Sequence, residues 1–174
     1  DDPDGTAVLV LGVDPGASAT GYGMVARSDD GVLRAVDYGS VITTPRDPFP
    51  ARLQQIFSRL TELIRCYQPE CAAIESLIFA KNVHSAFKLG QARGVALLAA
   101  AQGGLTIVEY TPLQVKSAVT GYGAAGKGQV QQMVGALLGL KEPLRSTDAA
   151  DALAVAICHH HSARLLHLSR GRGR

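Results

Sequence analysis

Apolar positions along this chain fall into strand-like and helix-like stretches in a readable order. The run "AVLVLGVD" (7–14) is continuously apolar until it ends at Asp14, the pattern of a strand buried on both faces. "GYGMVARS" (21–28) and "GVLRAVDYGSVIT" (31–43) read as two further strands joined by the turn Asp29-Asp30-Gly31. After the proline-rich "TTPRDPFP", residues Leu53, Ile56, Phe57, Leu60, Leu63, Ile64 and Tyr67 mark one face of a helix. "CAAIE" (71–75) is a short apolar strand ending in Glu75, and a second helix is expected from about Asn82 to Gln102. "LTIVEY" (105–110) gives the fifth strand, and Thr111-Pro112 opens a helix with threonine as cap and proline at its first position. A glycine-rich loop "YGAAGKG" (122–128), the helix "QVQQMVGALLGL" and a closing helix from about Thr147 complete the series. Three antiparallel strands followed by alternating helix and strand predict an α/β fold, a five-stranded mixed sheet flanked by helices.

At 174 residues the chain suffices for one well-buried domain, expected over residues 8–166. Residues 1–7 read as a disordered leader and 167–174 as a basic flexible tail. "DDPDGT" has no signal-peptide character, and no apolar run approaches the length of a membrane span. The three cysteines (Cys66, Cys71, Cys158) form no CxxC pair and no even framework, so a reducing, cytoplasmic setting is expected.

The net charge of +2 hides an asymmetry. Residues 1–80 carry 6 basic and 11 acidic side chains, whereas residues 81–174 carry 11 basic and 4 acidic. A half that basic suits either a polyanionic partner or an ordinary solvated surface.

Two motifs fail on their chemistry. "GYGAAGKG" (121–128) fits G-x-x-x-x-G-K, but Gly128 stands where a P-loop needs Ser or Thr to hold Mg²⁺, and the stretch follows a helix instead of a strand. A flexible loop offering Lys127 to a phosphate backbone is the better reading. In "CHHH" (158–161) adjacent helical imidazoles point in different directions and cannot close on one ion, so a partly exposed helix end is expected.

The acids are harder to dismiss. Asp14 and Glu75 each close a buried strand, and if those strands lie side by side and parallel, both carboxylates project at one end of the sheet, where ligand chemistry gathers. Asp148 and Asp151, three residues apart in "STDAADALAVAI", share a face of the last helix. Ser146 or Thr147 can cap that helix and an acid in its first turn suits the macrodipole, which accounts for Asp148 better than for Asp151. Four converging carboxylates would repel unless cations sat among them, and hard oxygen donors suit Mg²⁺ or Mn²⁺. Two such ions can activate water and stabilise the leaving oxygen of a phosphodiester.

At these residues the sequence resembles a known family. "LGVDPGASATGYG", "AIESLIFAKNVHSAFKLGQARGVA", "EYTPLQVKSAVTGYGAAGKGQVQQMV" and "DAADALAVAICH" are similar, in order and spacing from about residue 8 to 162, to the RuvC family of bacterial Holliday junction resolvases. The resemblance implies an RNase H-like fold, a homodimer, two Mg²⁺ per subunit (or Mn²⁺), and metal-dependent nicking of four-way junction DNA that leaves a 5′-phosphate and a 3′-hydroxyl. It also implies handoff from the RuvA and RuvB branch-migration complex. By position, Asp14, Glu75, Asp148 and Asp151 match the family's metal-binding catalytic acids, with Lys116 and Lys127 near the scissile phosphate. Lys81, Asn82, Lys88, Gln91 and Arg93 match the segment that runs along DNA and the dimer interface. The family's junction-wedging aromatic sits three residues after the glutamate, but here Ile78 holds that place and Phe79 follows. Either the wedge has shifted to Phe79, or Ile78 serves, or both residues are core. The small residues Ala86, Gly90 and Gly94 recur at i+4 spacing and allow a second backbone to approach, within the fold or across a dimer. Two other readings stand beside this one: a nuclease acting on RNA–DNA hybrids, which shares the chemistry, and an actin-like nucleotide-binding domain, which needs two such halves.

Overall fold

The computed structural model describes residues 8–76 and 82–171, with side chains as far as residue 163. Its elements run β1 (Val8–Asp14), β2 (Ala19–Arg27), β3 (Leu33–Ile42), α1 (Phe49–Tyr67), β4 (Cys71–Glu75), α2 (Val83–Gln102), β5 (Thr106–Tyr110), α3 (Pro112–Thr120), α4 (Lys127–Leu137) and α5 (Thr147–Gly171). The strands form one mixed sheet in the order β3-β2-β1-β4-β5. The first three pair antiparallel, while β1–β4 and β4–β5 are parallel. This is the α/β arrangement that the hydrophobic pattern predicts.

Successive strand residues face opposite sides of the sheet, so β1 feeds two cores. Leu11 and Val13 pack with Met24, Ile74 and the α1 residues Ile56, Leu60 and Leu63, and α2 adds Ala92, Ala96 and Ala99 to that side. Val10 packs the other way with Val25, Ala73, Val134, Leu153 and Ile157 beneath α3, α4 and α5. Helix α3 starts with the expected threonine, as a capping box in which Thr111 Oγ1 accepts from the Gln114 N–H at 3.2 Å and the Gln114 side chain accepts from the Thr111 N–H at 2.8 Å.

Helix α5 is apolar nearly all round, and residues 149–158 are buried except for the half-buried Asp151. It lies directly against the backbone of β1 and β2. A Cβ built at Gly12 would fall on the Ala152 carbonyl oxygen, one at Gly21 on the Asp148 carbonyl, and one at Gly23 against Leu153. The helix continues through residue 166 to Gly171. The three histidines therefore lie within it, His159 and His161 partly exposed and His160 buried, where the sequence suggested a partly exposed helix end. His159 Nδ1 meets the Tyr110 hydroxyl at 2.9 Å, His160 Nε2–H donates to the Val25 carbonyl at 2.9 Å, and His161 Nδ1–H donates to the Ala118 carbonyl at 2.9 Å. Their divergence, expected of adjacent helical residues, ties α5 to β5, β2 and α3. Residues 1–7, including the expected leader, lie outside the described residues.

Gly12→Ala should therefore lift α5 from the sheet, because the new methyl meets backbone, which cannot rotate away. Overpacking of this kind costs about 1–3 kcal/mol or more, a fall in Tm of roughly 3–10 °C for a chain of this size. Gly135→Ala on α4, whose added methyl meets nothing within 4 Å, should leave Tm unchanged or raise it. Equal melting temperatures for the Gly12 variant and the parent would show that the contact is not tight.

Candidate active site: carboxylates and lysines in one cleft

The register of β1 and β4 brings the acids together. Val13 pairs with Ile74, so the next residues, Asp14 and Glu75, stand side by side where the parallel strands end. Helix α5 enters at the same place, and Ser146 caps it: its Oγ accepts from the Ala149 N–H at 3.1 Å and contacts the Ser40 hydroxyl at 2.6 Å. With the cap filled by Ser146, Asp148 and Asp151 are left free for another role. Asp14, Glu75 and Asp151 line one cleft of about 520 Å³ with Lys116 and Lys127, over apolar walls from Leu89, Pro112, Val115, Val130 and Ala154. Asp148 does not line the cleft, but its charge reaches both Asp14 and Asp151.

Two lysines face the acids. Lys127 stands on the first turn of α4, where the sequence suggested a loop, because Gly126 already has helix-entry geometry and α4 begins at Lys127. Its Nζ lies 3.5 Å from the Asp151 carboxylate, and its side chain is 81% exposed, so it is loosely held and able to move. Lys116 comes from α3 and is half-buried.

The electrostatics record crowding. Burial, followed by the charges of Asp151, Glu75 and Asp148, raises the Asp14 carboxyl from 3.8 to about 7 against the opposing pull of Lys127. Glu75 is raised by burial and then by Asp151, opposed by Lys127 and Lys116. Asp151 is raised chiefly by burial, with Lys127 opposing and Asp148 adding to the rise. The site holds more negative charge than its lysines cancel.

Hard divalent cations fit this donor set. Among the described residues no three His, Cys, Asp or Glu side chains are gathered tightly enough to hold one ion between them. Mg²⁺ typically takes only one or two carboxylates and keeps several waters. Asp14, Glu75, Asp151 and the nearby Asp148 are the residues that would hold it.

Other expected site residues have different surroundings. Asn82 caps α2, its side chain accepting from the Ser85 N–H at 2.8 Å. Lys88 places its ammonium 5.9 Å from the Phe49 ring centroid. Gln91 is exposed beside Val83, Ala86, Phe87 and Gly90 in a shallow apolar concavity. Arg93, expected on the DNA side, is turned inward. Its Nη1 donates to the Glu75 carbonyl at 2.6 Å and its Nη2 lies 2.7 Å from Glu109. Lys81, Ile78 and Phe79 lie outside the described residues. Sequence reading missed Arg52, a buried arginine whose Nη2 donates to the Ala17 carbonyl at 2.8 Å and whose Nε donates to Thr43 Oγ1 at 3.0 Å. It fixes the turn that follows Asp14. An arginine at an apolar-face spacing, between Ala51 and Leu53, was the available signal.

The family model described as crossover junction endodeoxyribonuclease RuvC matches residues 10–159 of the chain. A crossover junction endodeoxyribonuclease RuvC of Geobacter sp. (strain M21) is 50% identical over 164 residues, which cover 94% of this chain and 99% of that one. The solved structure of Thermus thermophilus RuvC superposes with a TM-score of 0.83 at 38% identity, covering 90% of this chain and 96% of the other. The T. thermophilus RuvC structure in complex with Holliday junction substrate gives 0.86 at 38% identity, covering 91% and 96%.

Burial, with charge crowding after it, gives the site a signed pH dependence. Folded Asp14 keeps its proton up to about pH 7, while the unfolded residue releases it near 3.8. The native state thus binds more protons across that window and loses stability as pH rises through it. Asp14→Asn should therefore raise Tm in EDTA, by an amount worth on the order of 2–4 kcal/mol at pH 8 and less at pH 5. Thermal melts at the two pH values check this. An equal gain at both, or a loss at pH 8, would mean that the Asp14 carboxylate is not the crowded group.

Proposed function

This chain belongs to the crossover junction endodeoxyribonuclease RuvC family, and we propose that it resolves four-way DNA junctions by paired, metal-dependent hydrolytic nicks. The observation that carries the reading is the convergence of Asp14, Glu75 and Asp151 with Lys116 and Lys127 in one open cleft. Chemistry of this kind needs no nucleophilic side chain, and we assign none. Two Mg²⁺ per subunit (or Mn²⁺) would supply Lewis acidity and an activated water to the phosphodiester.

The chain's own residues supply the rest. The carboxylates of Asp14, Glu75, Asp148 and Asp151 provide hard anionic oxygens at the end of a rigid sheet. Lys127, exposed and loosely paired with Asp151, is free to turn toward a phosphate and steady the charge that develops on it. Lys116, from α3, adds positive charge to the same cleft. Lys81, Asn82, Lys88 and Gln91 are assigned to the DNA path leading to the cleft, and Phe79 or Ile78 to the junction centre.

A second copy of the chain completes the reading. The outer face of α2 carries Val83, 72% exposed, and Phe87, 69% exposed. The open positions Gly90 and Gly94, where a Cβ meets nothing within 4 Å, lie on the same helix. A homodimer closed about that face would bury the apolar side chains and give the assembly two clefts related by a two-fold axis. A four-way junction has an approximate two-fold of its own, so each cleft would face a strand of like polarity. The RuvA and RuvB branch-migration complex would deliver the junction, and the cytoplasm would be the compartment.

Four-way junctions, RNA–DNA hybrids and ATP, each offered with and without Mg²⁺, separate this reading from its rivals; only the junction should be consumed, as nicked strands. Asp151→Asn should lower cleavage by more than the roughly 10–100-fold lost when a partner behind a metal ligand is removed, with junction binding intact. Lys127→Ala should cost about 10²–10³ in single-turnover rate with a smaller loss of affinity. Near-normal cleavage by Asp151→Asn, with its fold unchanged, would remove that residue from the site.

The dimer has its own test. Gly90→Leu should sediment as monomer and convert a supercoiled cruciform plasmid to nicked circles in place of linear product. If the variant remains dimeric and linearises the plasmid in one encounter, the subunits meet elsewhere.

A further inference from the structure

We propose that Arg93 is a positioning residue that sets the direction of Glu75, and that it does not contact DNA. The inference rests on the reading of Glu75 as one of the acids that serve cleavage.

Glu75 is the last residue of β4, so the ladder that orients its backbone stops there. The peptide group that follows it is nonetheless clamped at both ends. Its carbonyl oxygen accepts from Arg93 Nη1 at 2.6 Å. Its N–H, belonging to Ser76, donates to the Tyr110 carbonyl at 2.7 Å. A peptide unit is planar, so fixing both its polar atoms fixes the plane, and with it the direction in which Glu75 leaves the strand. The next described element, α2, carries Arg93.

The guanidinium is itself held in place. Nη2 lies 2.7 Å from the carboxylate of Glu109 on β5, and the Arg93 side chain is only 13% exposed. Its neighbour Ala92 and, one turn on, Ala96 are buried against the sheet, so the stem emerges from a fixed base. The fork of donors lets one planar group bridge β4 and β5. The charges that shift the Glu75 carboxyl are those of Asp151, Lys127 and Lys116; Arg93 acts on the backbone behind it. With only 13% of its side chain exposed, the Arg93 guanidinium presents little surface to a phosphate.

The test compares Arg93→Ala, Arg93→Lys, Glu109→Gln and Glu75→Gln in the full chain. Arg93→Ala should keep junction affinity, measured without divalent metal, and keep its salt slope. Its single-turnover rate should fall about 10–100-fold, the cost of misplacing a reacting group by an ångström or so. The Mg²⁺ concentration for half-maximal rate should rise, and the Ser76 amide should exchange with solvent faster. Arg93→Lys should recover part of the rate, because an ammonium can reach one acceptor but not span two. Glu109→Gln should show the same pattern more weakly. If Arg93→Ala does not fold, those two variants carry the comparison. A loss of affinity with a salt slope smaller by about one would make Arg93 a phosphate contact and overturn the proposal. So would an unchanged rate and Mg²⁺ requirement with only a lowered Tm. Full cleavage by Glu75→Gln would instead sink the role of Glu75 itself.

Discussion

Helix α5 touches the sheet with nothing between the two backbones, and the placing of the acids depends on that contact. Gly12, Gly21 and Gly23 clear a lane across β1 and β2, and α5 answers with Ala149, Ala150, Ala152, Ala154 and Ala156, all buried. Small residues on both sides bring the start of the helix close to the end of β1. Asp148 and Asp151 thereby come within charge range of Asp14. A helix on an ordinary layer of leucines would stand farther off and carry its acids with it. Alanines bury little apolar area, and each contributes less than a leucine would. The larger stabilisation lies elsewhere, in Leu11, Met24, Ile56, Leu60 and Leu63 on the opposite face and in Leu153 and Ile157. The close contact is affordable because the rest of the core is conventional.

The same closeness makes the site electrostatically unfavourable. Carboxylates at the end of a buried strand lose water before they gain a partner, and Asp14 responds by holding its proton to about pH 7. Lys127 answers only partly, from 3.5 Å and largely in solvent. A tightly paired lysine would have neutralised Asp151 for good; a loose one can be exchanged for a cation and turned to a phosphate. The weakness of this ion pair is therefore consistent with use, since a site that must accept divalent charge cannot already be satisfied.

The parts of the structure legible in the sequence were those set by local pattern. Continuous apolar runs ending in Asp14 and Glu75 marked two buried strands and put an acid at the end of each. The Thr111-Pro112 pair marked a helix start that became a capping box. Side-chain direction was less legible. Arg93 reads as one more basic residue on a helix, and nothing near it in sequence says that its guanidinium turns inward to Glu75 and Glu109. The histidines misled for a similar reason: their partners Tyr110, Val25 and Ala118 are 49, 135 and 43 residues away. Lys127 was assigned to a loop because glycines flank it, yet Gly126 serves as the entry to α4 and glycine is acceptable at that position. Local sequence reports backbone preference well and long-range partners poorly.

The uneven charge of the chain takes on meaning at the cleft. Asp14 and Glu75 come from the half that carries 11 acids and 6 bases; Lys116 and Lys127 come from the half with 11 bases and 4 acids. Asp148 and Asp151 also come from the second stretch, so the site draws on both. A polyanion approaching Lys116 and Lys127 is attracted over a distance of about 10 Å in ordinary salt, but near the acids that attraction reverses. On the proposed function, phosphates would be drawn toward the cleft and kept from its acids until cations neutralised them. On the same reading, binding and cutting would be separable on electrostatic grounds: the lysine-bearing surface would serve the first, and acids holding cations the second. Such a division suits an enzyme that must recognise the shape of its DNA before breaking a strand, because a wrongly seated phosphate meets net negative charge where a correctly seated one would help complete a metal's coordination.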